Sequence, residues 1–282
     1  MLSTGTPFPT PDPGWPTNPT INAAFTIGAA IPLIVGLVLE ARIYRAEGSP
    51  VGFVCIVGGA VASLVEPLVT YVGFVHYPPH QQWTVFSGFG ESIPLFLTLA
   101  YAAEIGLGSF TVWRLLGRGG GPRVVMRVWW IVMLADVLLE TPALWLKVFY
   151  YYGPRPLDLF GFPLYWAPLD ATLALLPGVL LYLFQRREWR VWHYLLVIAL
   201  YPSNVMLVYL GAGWPIFSLQ HAQVSIGWLW AVSPLTLLLC WVLARAVAAF
   251  SVLPSDAVES VRSAFRTEAR RSPRDPQEAT GG

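Results

Sequence analysis

Apolar residues in this chain come in blocks of about 20, the length an α-helix needs to cross a bilayer. Seven such blocks are predicted, at roughly residues 22–44, 51–75, 90–113, 124–147, 164–186, 190–212 and 225–250. The connectors are short and carry turn signals, among them "EGSP", "GRGGGP", "YYGPRP" and "GAGWP". Only 12% of the 282 residues are charged and 55% are hydrophobic. A soluble domain usually carries about a quarter charged residues. The expected fold is therefore an all-α, polytopic bundle of seven transmembrane helices.

Basic residues give that bundle a direction. With the N-terminus outside and the C-terminus inside, 15 of the 17 Lys and Arg fall on the cytoplasmic side, and only Lys147 and Arg155 fall outside. The expected location is the cell (inner) membrane, with multiple passes. Residues 1–20 hold no Lys or Arg and are rich in Pro and Thr, and they read as a disordered outer tail. Residues 21–250 form the transmembrane domain. Residues 251–282 form a polar cytoplasmic tail, in which Val258, Val261 and Phe265 have the spacing of a short interfacial helix. The net charge of +1 gives no reason to expect a nucleic-acid partner. Cys55 and Cys240 lie in apolar blocks and are expected to pack rather than pair. No internal repeat marks an inverted-repeat transporter.

The unusual content of the spans is acidic. Glu66, Glu104, Asp136, Glu140 and Asp170 lie well inside them, and Glu91 sits at a boundary. Each ionised acid near a bilayer centre costs about 2.5–3.5 kcal/mol on insertion scales, so five cost on the order of 10 kcal/mol. Lys147, the nearest cation, lies two helical turns beyond Glu140 and is out of reach of a direct pair. Desolvation without cations favours neutral carboxyls, which are proton donors.

Asp136, Glu140 and Ala143 follow helical spacing on the fourth span, as Gly59, Ser63, Glu66 and Thr70 do on the second. By helical rise Glu66, Glu140 and Asp170 lie roughly 4–8 Å outward of their span centres, with Asp136 near the middle and Asn204 at similar depth. A polar pocket open to the outer side is expected, helped by prolines inside the spans, among them Pro67 and Pro142. The bland role for any one acid is a hydrogen bond that stabilises helix packing. That role fits Glu104 best, because it lies on the inner half. Tyr150, Tyr165, Trp166, Trp189, Trp192 and Trp214 are expected in an interfacial belt.

Three of the four histidines, His76, His80 and His221, fall in outer loops. The prolines between His76 and His80 forbid a helical His pair, and no Cys helps, so neither metal nor cofactor is expected. A retinal protein is excluded, because Lys147 is the only lysine and the last span has none.

The stretch "EPLVTYVGFVHYPPHQQWTVFSGFGESIPLF", Glu66 to Phe96, resembles a segment of AveC-type spirocyclases, in which a Glu-Pro in one span leads through a Tyr-Pro loop to an Ile-Pro at the next. "ADVLLETPALW", Ala135 to Trp145, is similar to that family's acidic fourth span. The resemblance covers most of residues 20–250. It implies a membrane enzyme that closes a dihydroxy-ketone into a spiroketal with loss of water, or dehydrates the product.

On that reading Asp136 or Glu140 donates the proton, Glu66 accepts one, and Asp170 and Asn204 orient the oxygens. His76, Tyr77 and His80 close the mouth, with Trp83, Glu91 and His221 beside them. The partners are a lipophilic small molecule and the bilayer. A membrane-bound terpene cyclase would use the same residues. A proton-coupled transporter or sensor, or a scaffold subunit, are the alternatives outside enzymes.

Overall fold

The protein is described here by a computed structural model covering residues 8–184 and 190–252. It is mostly helical. Six helices are long and apolar enough to cross a membrane, the mark of a multi-pass membrane protein. They are α1 (Pro19–Glu47), α2 (Val51–Gly73), α3 (Leu95–Gly117), α5 (Trp166–Phe184), α6 (Val191–Ala212) and α8 (Ile226–Phe250). Between them lie α4 (Pro122–Trp145) and the short α7 (Trp214–His221). The 24 residues of α4 would reach about 36 Å. Arg123, Arg127, Asp136 and Glu140 set it apart from the six by composition. Exposed Ile27, Ile31, Ile34 and Val38 on α1, and Leu134, Leu138 and Leu139 on α4, form apolar faces suited to lipid rather than water.

Helix ends follow the local sequence. Asn18 caps α1, accepting from the N–H groups of Thr20 and Ile21 at 2.9 and 3.2 Å, with Pro19 at the first helical position. Gly48 stops it in the left-handed region at φ 70°. Inside α2, Pro67 has no N–H to offer the Ser63 carbonyl one turn back. The chain tightens into a 3₁₀ turn over Ser63–Val65, where the Glu66 N–H takes up that carbonyl instead. Inside α3, Ala102–Leu107 widens into a π turn that contains Glu104.

Two glycines bring α2 and α3 together. A Cβ at Gly59 would stand 2.5 Å from the Tyr101 carbonyl oxygen and 2.8 Å from the Gly106 nitrogen. One at Gly106 would stand 2.7 Å from the Cys55 carbonyl oxygen. Only small residues allow backbones this close, and close approach is what drives helix association in lipid.

The mostly helical fold agrees with an all-α bundle and carries one addition, at the end of the bundle with residues 74–94 and 146–165. Three two-stranded antiparallel pairs cap it. β1 (Val75–His76) pairs with β4 (Tyr150–Tyr151), β2 (Thr84–Gly88) with β3 (Glu91–Pro94), and β5 (Asp158–Leu159) with β6 (Phe162–Pro163). Phe89 and Gly90 both have positive φ, 51° and 83°, the backbone a tight hairpin requires. Glu91 is therefore a strand residue, and the third span begins at Leu95 instead of residue 90.

The N-terminal segment also differs from a disordered tail. Trp15 stacks on Tyr150 with ring centroids 4.0 Å apart, the Asp12 N–H donates to the Tyr150 hydroxyl at 2.5 Å, and Phe8 packs on Phe74. Its apolar residues find a surface because the strand cap offers the aromatic rings of Phe74 and Tyr150. Tyr165 and Trp166 are buried at 1% and 3% exposure and belong to the core instead of a belt. Trp189 and the expected tail helix near Phe265 lie outside the described residues.

Candidate active site

Four helices and the cap bring the acids together. Glu66, 3% exposed, starts the second half of α2, where the proline-induced turn aims it inward. Tyr101 donates to its Oε2, and Tyr77 donates to its Oε1 at 3.2 Å. The glycine contact between α2 and α3 sets Tyr101 in place, and the loop after β1 sets Tyr77. Both carboxyl oxygens of Glu66 are thus satisfied by phenols.

Asp136 and Glu140 lie one turn apart on α4, and Asp170 faces them from α5. A bond from Trp129 Nε1 to Thr172 Oγ1 at 3.0 Å ties these two helices. One carboxylate oxygen from each of the three acids lies within 4.8 Å of the others. Tyr151 of β4 donates to Glu140 Oε2 at 2.6 Å, and Tyr209 of α6 donates to Asp170 Oδ1. Asp136 is 5% exposed, and its Oδ2 is buried without a hydrogen-bond partner.

Glu104 lies within electrostatic reach of all three, as Glu66 does of Glu140 and Asp170. Its buried Oε1 has no partner either. Glu104, for which a helix-packing role was expected, thus stands in the π turn within electrostatic reach of the cluster. Among the described residues, no ion pair reaches any of the five. Lys147 lies beyond the end of α4, exposed and at φ 60°.

Burial pushes the hydroxyls of the cap residues Tyr77 and Tyr151 well above the usual tyrosine range, and the carboxylates Glu66 and Glu140 add to it. Both phenols stay protonated, and so remain donors to the acids below them.

The other sequence-predicted residues divide. His76 Nδ1 meets Glu91 Oε2 at 2.9 Å above the cluster. His221 stacks on Phe74 at 4.6 Å, and its Nε2 meets the Val72 carbonyl at 3.0 Å, so it braces the cap. His80 is exposed, and Trp83 is 59% exposed. Asn204 binds the Leu173 carbonyl at 2.7 Å, which ties α6 to α5 one turn past Asp170.

Sequence reasoning passed over Tyr101, Tyr151 and Tyr209, although a tyrosine within an apolar span is itself a signal that its hydroxyl needs a partner. It also passed over Glu40, another buried acid at 3% exposure, packed over Gly52 near Arg114.

Two small apolar crevices open among the described residues. One lies between α2 and α6 and is lined by Leu68, Val72, Met206, Tyr209, Leu210 and Phe217. It reaches Tyr209, and so the rim of the acid cluster.

No protein-family model, no curated protein and no solved structure matches this chain.

Proposed function

We propose that this chain is a seven-helix, N-out and C-in cyclase of the cell membrane that acts on a lipophilic hydroxy-ketone by acid and base catalysis. The convergence of Glu66 with Asp136, Glu140 and Asp170 in a low-dielectric interior carries this reading. The resemblance of Glu66–Phe96 and Ala135–Trp145 to AveC-type spirocyclases supports spiroketal formation, or dehydration of its product.

The substrate comes from the bilayer, along the apolar crevice beside Tyr209. Glu66 takes the proton of the attacking hydroxyl, whose oxygen bonds to the carbonyl carbon. The group of Asp136, Glu140 and Asp170 is the electrophilic pole, which meets the carbonyl oxygen and then the departing hydroxyl. That hydroxyl takes up a second proton and leaves as water, and the substrate's second hydroxyl bonds to the same carbon and gives up its proton, so a dihydroxy-ketone becomes a spiroketal plus one water. Each positioned proton transfer contributes about 10²–10⁴-fold. The phenols Tyr77, Tyr101, Tyr151 and Tyr209 hold the acids in orientation and relay protons between them.

Comparative mass spectrometry of host lipids and secondary metabolites, with and without the gene, tests this. A species one water heavier than the missing product is expected to accumulate without it. A precursor of equal mass points to a terpene-type cyclisation. No change in any metabolite overturns the enzyme reading.

One observation favours a second reading. Glu104, within the π turn of α3, lies in electrostatic reach of the cluster and would extend a proton path toward the arginine-rich end. Proton-coupled transport then predicts ligand-dependent acidification in liposomes, which a cyclase does not produce.

A further inference from the structure

We propose that Asp136, Glu140 and Asp170 bind a hard divalent cation of calcium size. The donor set is all carboxylate, the chemistry that suits Ca²⁺, Mg²⁺ and Mn²⁺ rather than zinc or copper. Calcium tolerates the widest ligand spacing among them. Two bonds of about 2.1 Å to Mg²⁺ span at most about 4.2 Å, whereas two of about 2.3–2.6 Å to Ca²⁺ span about 4.6–5.2 Å. A spread of up to 4.8 Å between the three oxygens therefore accommodates calcium as it stands.

A second observation points to a ligand independently of this spacing. Asp136, whose carboxylate belongs to this group, is 95% buried by its 5% exposure, and its Oδ2 has no donor offered to it. Nearly every buried oxygen in a folded protein has a partner, so this one marks a place for something positive. Glu104 adds a further buried unpartnered oxygen within electrostatic reach of all three ligands. By contrast Glu66, with a phenol on each oxygen, has no such vacancy and is outside the set.

The site is inferred from the residues alone and stands whether or not the cyclase reading does. Within that reading it deepens the account of the electrophilic pole. A bound cation displaces the triad's protons, so the cation rather than a carboxyl proton polarises the substrate oxygen, and proton transfer falls to Glu66 and its phenols.

Terbium is a suitable probe, because it occupies calcium sites and luminesces when a nearby aromatic ring is excited. Trp166 lies 5.7 Å from Tyr151 and 5.3 Å from Tyr209 by ring centroids, and these two tyrosines bond Glu140 and Asp170. The full chain, purified in lipid nanodiscs and stripped with chelator, would be titrated with Tb³⁺ and then with Ca²⁺. One saturable equivalent per chain is expected, displaced by Ca²⁺. Affinity should fall at least tenfold in Asp136→Asn and Asp170→Asn and stay unchanged in Glu66→Gln and Glu40→Gln.

Absence of saturable luminescence overturns the proposal, as does binding that survives the triad substitutions. If Asp136→Asn does not yield monodisperse protein, Glu140→Gln, at the partly exposed rim, tests the same loss of affinity. Product formed without Tb³⁺ or Ca²⁺ binding refutes the cation site alone. Binding without any product refutes the cyclase alone.

Discussion

Glu66 and Asp136 are both buried acids in apolar helices, and their surroundings are opposite. Glu66 has a phenol on each oxygen and lies outside the close carboxylate group. Asp136 has an unpartnered oxygen and two acidic neighbours within 4.8 Å. A satisfied buried acid has its cost of desolvation largely offset and is held in one orientation. An unsatisfied one keeps that cost until a ligand or a proton arrives. The difference teaches that equal burial does not mean equal purpose. The first setting suits repeated proton exchange, the second suits binding.

Substitutions can break or sharpen this contrast. The largest effect is expected from Glu66→Gln, which should lower product formation by at least about a hundredfold while protein still accumulates in the membrane. Metabolite mass spectrometry alongside immunoblotting checks it. Next comes Gly106→Ala. Its Cβ would collide with the Cys55 carbonyl, push α3 from α2 and draw Tyr101 off Glu66, at a cost of about 1–3 kcal/mol. Thermal unfolding in nanodiscs reads this directly.

Stability in the presence of chelator should then separate the two acids by sign. Asp136→Asn is expected to raise it by about 1 kcal/mol by removing a like charge from a crowded group. Tyr101→Phe is expected to lower it by about 1–3 kcal/mol, because it strips a buried oxygen of its donor. If both substitutions stabilise, or both destabilise, the contrast is wrong. The smallest effect belongs to His76→Gln, which loosens the contact with Glu91 at the cap and should cost about 1 kcal/mol with product still made.

Much of the fold was legible because lipid imposes length and composition on each helix separately. The blocks at 51–75, 190–212 and 225–250 match α2, α6 and α8 to within a few residues. The spacing of Asp136 and Glu140 was legible for a similar reason, since helical pitch alone puts them one turn apart on one face. The cap was misread where short-range chemistry governs. "TVFSGFGESIP" alternates and turns at Phe89-Gly90, a hairpin signal that the neighbouring apolar span masked.

The tyrosine partners have no local signature. Tyr209 meets Asp170 across 39 positions of sequence, and Tyr101 meets Glu66 across 35, so only packing reveals them. Glu104 shows the same limit. A helical wheel of ideal pitch does not anticipate the π turn that turns it toward the cluster.

The most direct test of the central claim, that the buried acids of this cluster carry out the chemistry, compares two neutral substitutions in the same host. Metabolites would be profiled by mass spectrometry in a deletion strain complemented with wild type, Glu66→Gln or Glu40→Gln. Both glutamates are 3% exposed, but only Glu66 lies within electrostatic reach of the carboxylate group. Glu40→Gln is expected to restore the product, whereas Glu66→Gln leaves its precursor, one water heavier, in place. Restoration by Glu66→Gln, with loss in Glu40→Gln, would contradict the claim.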